Sequence, residues 1–170
     1  MNTPNATSAT EPTQYLTFQL SKEVFALQVL SVKEIIEYGA LTTVPMMPTT
    51  IRGVINLRGA VLPVIDLAAR FGGPPALISK RSCIVVVEHE EQGRRQNLGL
   101  LVDVVNAVLE ISAADIAPPP SFGARIPTNF IAGMGKMGSG FVIILDPQHV
   151  LSTEDLAGLV RTNSAVTPAA

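Results

Sequence analysis

The stretch Gly133-Met134-Gly135-Lys136-Met137-Gly138 has the G-x-G-x-x-G spacing found in nucleotide-binding loops. In such loops the glycines let the backbone approach a pyrophosphate, and a helix N-terminus follows to hold the negative charge. Here the chain continues into Phe-Val-Ile-Ile-Leu, a run typical of a strand, and Lys136 is not followed by the Ser or Thr of a P-loop. The pattern favours a β-hairpin turn; a nucleotide-binding enzyme using the Gly133–Gly140 loop is the less favoured alternative.

Three aspartates at the ends of predicted strands are the next candidates for chemistry. Asp66, Asp103 and Asp146 would suit acid-base work or a metal site if they met in space. Asp66 and Asp146, however, each come directly before a predicted short helix, and Asp is a preferred N-cap residue because its carboxylate accepts free helix amides. Helix capping is therefore the favoured interpretation.

The histidines and the single cysteine give no sign of a metal or a nucleophile. His89 lies in the charged stretch 88–95 and His149 follows Asp146, with no cysteine nearby, so both are expected to be solvated. Cys83 begins the apolar run Cys-Ile-Val-Val-Val, where burial should raise its pKa and place it in the core. We expect no cofactor, no metal and no catalysed reaction.

The composition indicates a packed protein in the cytoplasm. Of 170 residues, 47% are hydrophobic, but the apolar runs are far shorter than the roughly 20 residues of a membrane span, so direct membrane insertion is not expected. The first thirteen residues have no features of a secretory signal, and one cysteine agrees with a reducing compartment. A net charge of −2 disfavours nucleic acid as a partner.

Short apolar segments rich in Val and Ile, bounded by Gly and Pro, predict an all-β fold with few short helices. The predicted strands are Tyr15–Leu20, Val24–Val29, Ile35–Tyr38, Gly53–Leu57, Val61–Ile65, Ser82–Glu88, Asn97–Asp103, Val104–Ile111, Phe130–Met137 and Gly140–Leu145. The predicted helices are Leu67–Phe71, a turn from Pro147, and a C-terminal helix over Thr153–Val160 that has capping-box spacing at its start.

The ends of the chain differ from its centre in composition. Residues 1–13 and 162–170 are rich in Thr, Ser, Ala and Pro and have little to bury, so both are expected to be disordered tails. Residues 14–161 then form the folded domain.

An internal repeat divides that domain. The apolar and glycine pattern that starts at Ile51 recurs from Ile131, at a constant offset of 80 residues. Each copy predicts a strand, a tight turn, a second strand and a helix capped by Asp. Two similar sub-barrels would explain such a repeated hairpin, because closing a sheet removes its free edges.

The sequence also resembles a known family. The residues 53–67, Gly-Val-Ile-Asn-Leu-Arg-Gly-Ala-Val-Leu-Pro-Val-Ile-Asp-Leu, are similar to the signature of the chemotaxis coupling protein family CheW, and the resemblance extends from Tyr15 to about Val160. It implies two interlocked five-stranded barrels resembling SH3 domains, no cofactor, and a cytoplasmic adaptor at receptor arrays. The implied partners are the signalling tip of methyl-accepting chemotaxis receptors and the regulatory domain of the histidine kinase CheA. A scaffold of a pilus or developmental pathway is the alternative within the family.

The resemblance also implies site residues. The arginine of the Asn-Leu-Arg-Gly motif matches Arg58 and, with Glu34 and Val32, implies receptor binding. Without the resemblance, Arg58 would be an ordinary solvated charge, Glu34 a surface residue and Val32 a core residue. The expected kinase-binding residues are Ile36, Tyr38, Leu41 and Val44, for which burial in the core is the competing interpretation. Phe122 matches a residue implied in array contacts.

Overall fold

The computed structural model describes residues 12–151 except residues 40, 49, 92 and 120–127. Within these residues, strand formation follows the apolar segments, because β-branched side chains pack well on a pleated surface. The strands are β1 (Thr13–Leu20), β2 (Glu23–Gln28), β3 (Val32–Glu37), β4 (Ile51–Leu57), β5 (Ala60–Asp66), β6 (Cys83–Glu91), β7 (Arg94–Val102), β8 (Val104–Ile111), β9 (Ile116–Ala117), β10 (Ile131–Met137) and β11 (Gly140–Leu145). The α-helices are α1 (Leu67–Arg70) and α2 (Pro147–Val150), and 3-10 turns cover Val29–Ser31, Ala113–Asp115 and Thr128–Phe130.

The strands form two sheets that divide the chain unevenly. One sheet has the order β3-β6-β7-β5-β4 and uses only the middle of the chain, whereas the other has the order β8-β1-β2-β11-β10-β9 and combines both ends. The segment that forms the five-stranded sheet is thus inserted between the two segments that form the six-stranded sheet, which confirms the expected interlocked all-β fold. The second sheet has six strands where five were expected, because the two-residue strand β9 pairs with β10.

The first sheet closes on itself through the segment after β3. The N–H of Thr42 donates to the carbonyl of Val54 at 2.8 Å, and the N–H of Val54 donates back at 2.9 Å. These bonds connect the continuation of β3, one edge of the sheet, to β4, the other edge. Gly53 makes this approach feasible, since a Cβ there would lie 2.4 Å from the carbonyl oxygen of Thr42. We call this closed unit the first barrel, and the unit built on the other sheet the second barrel.

Three apolar clusters form the interior of the two barrels. The first-barrel core contains Leu62, Val64, Ala68, Ala76, Ile84, Val86 and Leu101. The second-barrel core contains Tyr15, Ala26, Ile111, Val142 and Ile144. A larger shared core takes side chains from both sheets, among them Phe18, Phe25, Val85, Val87 and Leu100. Strand β6 is buried on both faces, with Ile84 and Val86 in one cluster and Val85 and Val87 in another, which explains its unbroken apolar run.

The predicted repeat is confirmed at the level of register. In the β4–β5 hairpin Ile51 pairs with Ile65 and Leu57 with Ala60, and in the β10–β11 hairpin Ile131 pairs with Leu145 and Met137 with Gly140. Every one of these residues is offset by 80 from its counterpart, and both hairpins shift register after their first pair. Each second strand also pairs in parallel, β5 with β7 and β11 with β2.

Most predicted elements are found, with differences at several strand ends and at His89. Strand β3 begins at Val32 instead of Ile35, and Phe130 ends a 3-10 turn instead of starting β10. His89, expected to be solvated, is only 3% exposed, because the alternation of β6 puts it on the same face as Val85 and Val87. The predicted C-terminal helix and most of both tails lie outside the described residues. No described helix has the length and apolar character needed to cross a membrane.

Candidate docking surfaces on the first barrel

The turn between β4 and β5 presents one arginine to solvent. Arg58 and Gly59 are its two central residues and have φ values of 50° and 88°, a combination typical of a type I′ hairpin turn. The side-chain oxygen of Asn56 accepts a hydrogen bond from the N–H of Gly59 at 2.7 Å. This bond connects the turn to the end of β4, three residues before the Gly59 amide.

Arg58 forms an ion pair with Glu34 on β3. Its Nη2 donates to Glu34 Oε2, and its Nη1 lies 3.4 Å from Glu34 Oε1, so the guanidinium and the carboxylate meet along two parallel edges. The Arg58 side chain is nevertheless 72% exposed, whereas that of Glu34 is 30% exposed. The pair therefore holds the guanidinium in place and still leaves much of it accessible to a partner. We call Arg58, Gly59 and Glu34 the Arg58 tip.

The ion pair keeps both groups charged. The hydrogen bond from Arg58 holds the pKa of Glu34 below its usual range, against a smaller opposing effect of desolvation. The same hydrogen bond raises the pKa of Arg58. A carboxylate on a partner would thus meet a permanent cation at the tip.

The third predicted receptor residue lies behind this pair. Val32 starts β3 opposite Val87, is half-buried, and packs against the shared core. A register shift between Val32 and Glu34 leaves Lys33 exposed, with its Nζ 4.0 Å from Glu88. Of the three residues, Arg58 and Glu34 are brought together, and Val32 supports the strand that carries Glu34.

The predicted kinase-binding residues lie towards the opposite end of the first barrel. Ile36, Tyr38 and Leu41 are half-buried and pack against the first-barrel core, and Val44 is half-buried in the following loop. Burial in the core, the competing interpretation, therefore accounts for much of their surface. Phe122 lies outside the described residues.

This end also has exposed apolar residues that sequence reasoning did not assign to a docking surface. Met46, Leu77 and Ile78 are 79%, 87% and 40% exposed. Met46 lies in the segment that follows Leu41, and Leu77 and Ile78 follow Ala76. Ala76 belongs to the first-barrel core and Leu41 packs against it, so both segments leave the same core. The signal was present, because Met46 lies between Pro45 and Pro48, and Leu77 and Ile78 come shortly after Pro75, in loops where apolar side chains have no strand to pack against. We call Met46, Leu77 and Ile78, with Val44, the first-barrel base.

A buried carboxylate organises the base. Asp66 is fully buried; its Oδ2 accepts from Arg52 Nη1 and from the N–H of Ala76, both at 2.9 Å. Its Oδ1 accepts from the N–H of Ala69 at 3.2 Å, which caps α1 as predicted. Ala76 directly precedes Leu77, so Asp66 ties the exposed apolar loop to the end of β5.

The other candidates for chemistry are all used structurally. The glycine-rich stretch forms β10 and the turn into β11, which confirms the predicted hairpin. A Cβ on Gly133 or Gly135 would lie 2.6 Å and 3.0 Å from the side chains of Ile116 and Ile111, so these glycines serve close packing. Asp146 caps α2 and contacts His149 Nδ1 at 2.7 Å.

The remaining polar groups give no metal site. Asp103 accepts from the N–H of Ser21 at 2.9 Å. Cys83 is half-buried against the shared core, and desolvation raises the pKa of its thiol, as expected. Among the residues that the structure describes, no three His, Cys, Asp or Glu side chains are grouped as a metal ion requires.

Comparison with known proteins agrees with this architecture. The sequence model of the CheW-like domain matches residues 14–155. The chain is 33% identical over 144 residues to the chemotaxis protein CheW of Klebsiella aerogenes, covering 85% of this chain and 84% of the relative. It is 34% identical over 139 residues to a probable chemotaxis protein CheW of Rhizobium etli, covering 82% and 87%.

A solved structure extends the similarity to three dimensions. The crystal structure of the scaffolding protein TtCheW from Thermoanaerobacter tengcongensis superposes with a TM-score of 0.72 at 38% identity. The match covers 79% of this chain and 84% of that one. With the two interlocked barrels, the repeated hairpin and the Arg58 tip, these similarities show that the chain belongs to the CheW family.

Proposed function

We propose that this protein is an adaptor of chemotaxis signalling that couples methyl-accepting receptors to a CheA-like histidine kinase. Membership of the CheW family supports this role, as do the relatives themselves, which are named as chemotaxis proteins and a scaffolding protein. The observation that carries the proposal is the exposed guanidinium of Arg58, held by Glu34 at a rigid turn. Such a group recognises a partner without first having to be ordered.

The receptor would dock on the Arg58 tip. A receptor signalling tip is a helical hairpin, and a carboxylate on its surface can accept hydrogen bonds from the guanidinium edge that Glu34 does not use. The partly buried Val32 would support the contact from β3. A charged group beside an apolar surface is a common organisation of protein interfaces.

The kinase regulatory domain would dock at the other end of the first barrel. The predicted residues Ile36, Tyr38, Leu41 and Val44 are only half-buried, and the exposed members of the first-barrel base continue their surface outwards. Exposed apolar side chains grouped in this way are typical of protein interaction sites. Phe122 remains assigned to a weaker contact within receptor arrays.

The proposal assigns the protein no catalysed reaction and no cofactor. The adaptor would work in the cytoplasm at receptor arrays, where several moderate interfaces act together. Because multivalent contacts raise the effective concentration of each partner, none of them needs to be tight alone.

The experiment measures both interfaces of the purified full chain by titration calorimetry. One ligand is the cytoplasmic signalling hairpin of a cognate receptor, and the other is the regulatory domain of the cognate kinase. Arg58→Glu should abolish receptor binding and leave kinase binding and the melting temperature unchanged. Lys136→Glu is the matched control, since it reverses an exposed charge on the equivalent hairpin. Absence of binding to both partners, or joint loss of both by Arg58→Glu, would contradict the proposal.

A further inference from the structure

The backbone of Arg58 has an uncommon conformation for a residue with a side chain. Its φ of 50° lies in the left-handed region, which the Cβ of most residues disfavours. The equivalent position of the β10–β11 hairpin, offset by 80 residues, is Gly138 with φ 60°. Glycine adopts a positive φ at no steric cost. The next residue of that turn, Ser139, is not among the residues with positive φ, so the second turn differs in type from the first.

A hydrogen bond compensates for the missing glycine in the first hairpin. Asn56 Oδ1 accepts from the N–H of Gly59 across the turn at 2.7 Å. The equivalent of Asn56 in the second hairpin is Lys136, whose side chain has no acceptor. The first hairpin, with Arg58 at positive φ, thus has a side-chain bond to its turn amide. The second hairpin cannot form the equivalent bond.

We infer that Asn56 is a positioning residue for Arg58. Its bond to Gly59 holds the turn in the left-handed conformation, from which the guanidinium reaches Glu34 and faces the partner. Without the bond, the turn would populate other conformations, and binding would have to restore the aligned one at a cost in affinity. This inference rests on the proposed role of Arg58 in receptor binding.

The test is a double-mutant cycle on the full chain, read out as affinity for the receptor hairpin and for the kinase regulatory domain. Asn56→Ala should weaken receptor binding about five-fold, the size typical of one net hydrogen bond, and leave kinase binding unchanged. Asn56→Ser should lose less, because its hydroxyl accepts the same N–H more weakly. On an Arg58→Ala background, Asn56→Ala should have no further effect, since nothing remains to be positioned.

The cycle distinguishes a failure of the proposed function from a failure of the role inferred for Asn56. If Arg58→Ala binds the receptor like the wild type, the proposed function fails. If Arg58→Ala weakens binding and Asn56→Ala does not, Asn56 is not a positioning residue. An equal loss from Asn56→Ala on both backgrounds would mean that Asn56 contacts the receptor itself, which also contradicts the inference.

A measurement on the wild type keeps the inference testable even if Asn56→Ala does not fold. The Gly59 amide should be protected from hydrogen exchange in the free protein, whereas a solvent-facing amide in a turn exchanges quickly. Exchange of the Gly59 amide at the rate of an unstructured peptide would show that Asn56 does not hold the turn.

Discussion

The guanidinium of Arg58, at the turn that follows β4, is paired with the carboxylate of Glu34 on β3, although β3 and β4 lie at opposite edges of the five-stranded sheet. The pair thus joins two edges that Thr42 and Val54 join again further along β4. Strand β4 and the chain segment of β3 therefore both close the barrel and position the arginine. A partner that binds the Arg58 tip therefore binds where the two edges of the sheet meet.

Receptor binding should be insensitive to mild acid. The hydrogen bond from Arg58 lowers the pKa of Glu34 from its usual 4.5, so the carboxylate stays charged above that value, and the contribution of the pair is lost only as the pH falls through the lowered pKa. Affinity for the receptor hairpin should be constant between about pH 7 and pH 5. Titration calorimetry of the wild type and of Glu34→Gln over this range checks the expectation. A decline in the wild type that Glu34→Gln does not share would contradict it.

Gly53→Ala should destabilise the first barrel by about 2–4 kcal/mol. The new Cβ would meet the carbonyl oxygen of Thr42 at 2.4 Å, a backbone atom that cannot move without opening the closure. Gly133→Ala is the matched control, because there the atom nearest to the new Cβ belongs to a side chain, Ile116 Cγ2 at 2.6 Å, and the nearest backbone atom, the carbonyl oxygen of Ala117, is farther away at 3.2 Å. Urea unfolding followed by circular dichroism should give a clearly smaller loss for the control. Equal losses in the free energy of unfolding would mean that the close approach of Gly53 to Thr42 is no more demanding than the packing at Gly133.

Asp66→Ala should cost about 3 kcal/mol or more. The change removes a fully buried carboxylate and leaves Arg52 and two backbone amides without their partner. The equivalent Asp146→Ala, in which a partly exposed helix cap is lost, should cost only about 1 kcal/mol. Free energies of unfolding of the two variants test the difference. If Asp66→Ala also weakens kinase binding, the first-barrel base is ordered by this carboxylate as the structure indicates.

The thiol of Cys83 should react slowly in the native protein. Desolvation, with a smaller effect of Glu37, raises the pKa of Cys83, so little reactive thiolate is present near neutral pH. Modification by an aromatic disulfide reagent at about pH 7.5 should be about five-fold slower, or more, than for the urea-unfolded chain. Equal rates in the two states would show that the folded protein does not protect the thiol.

Local pattern was sufficient for the hairpins. The partners in the β4–β5 and β10–β11 hairpins are close in sequence, and Gly59 and Gly138 mark the turns, so apolar alternation alone predicts both pairs. The same alternation also held the signal for His89, which continues the buried face of Val85 and Val87. Glu88 and Glu90 on either side of His89 suggested a solvated stretch. This charge signal was given more weight than the two-residue alternation, which predicts burial of His89.

Contacts between distant segments were beyond a single sequence. The parallel pairing of Phe25 with Ile143 joins the two ends of the chain, and no local feature of either strand specifies the other. The pairing of Glu34 with Arg58 has the same origin, since both were candidates for a receptor site but nothing indicated that they touch. Leu77 and Ile78 were not assigned to a docking surface, because half-buried Ile36 and exposed Leu77 are equally apolar as sequence.

The turns of the two repeated hairpins differ in sequence, so the two hairpins present different surfaces to a partner. An exact duplicate would offer two interchangeable ends, and a partner could attach in either orientation. One turn carries Arg58 against Glu34, while its counterpart carries Gly138. Exposed apolar side chains lie beside both turns, Val61 in the first hairpin and Phe141 in the second, so the charge is what distinguishes them. A partner that recognises a cation at a hairpin turn can therefore bind at only one of these two hairpins.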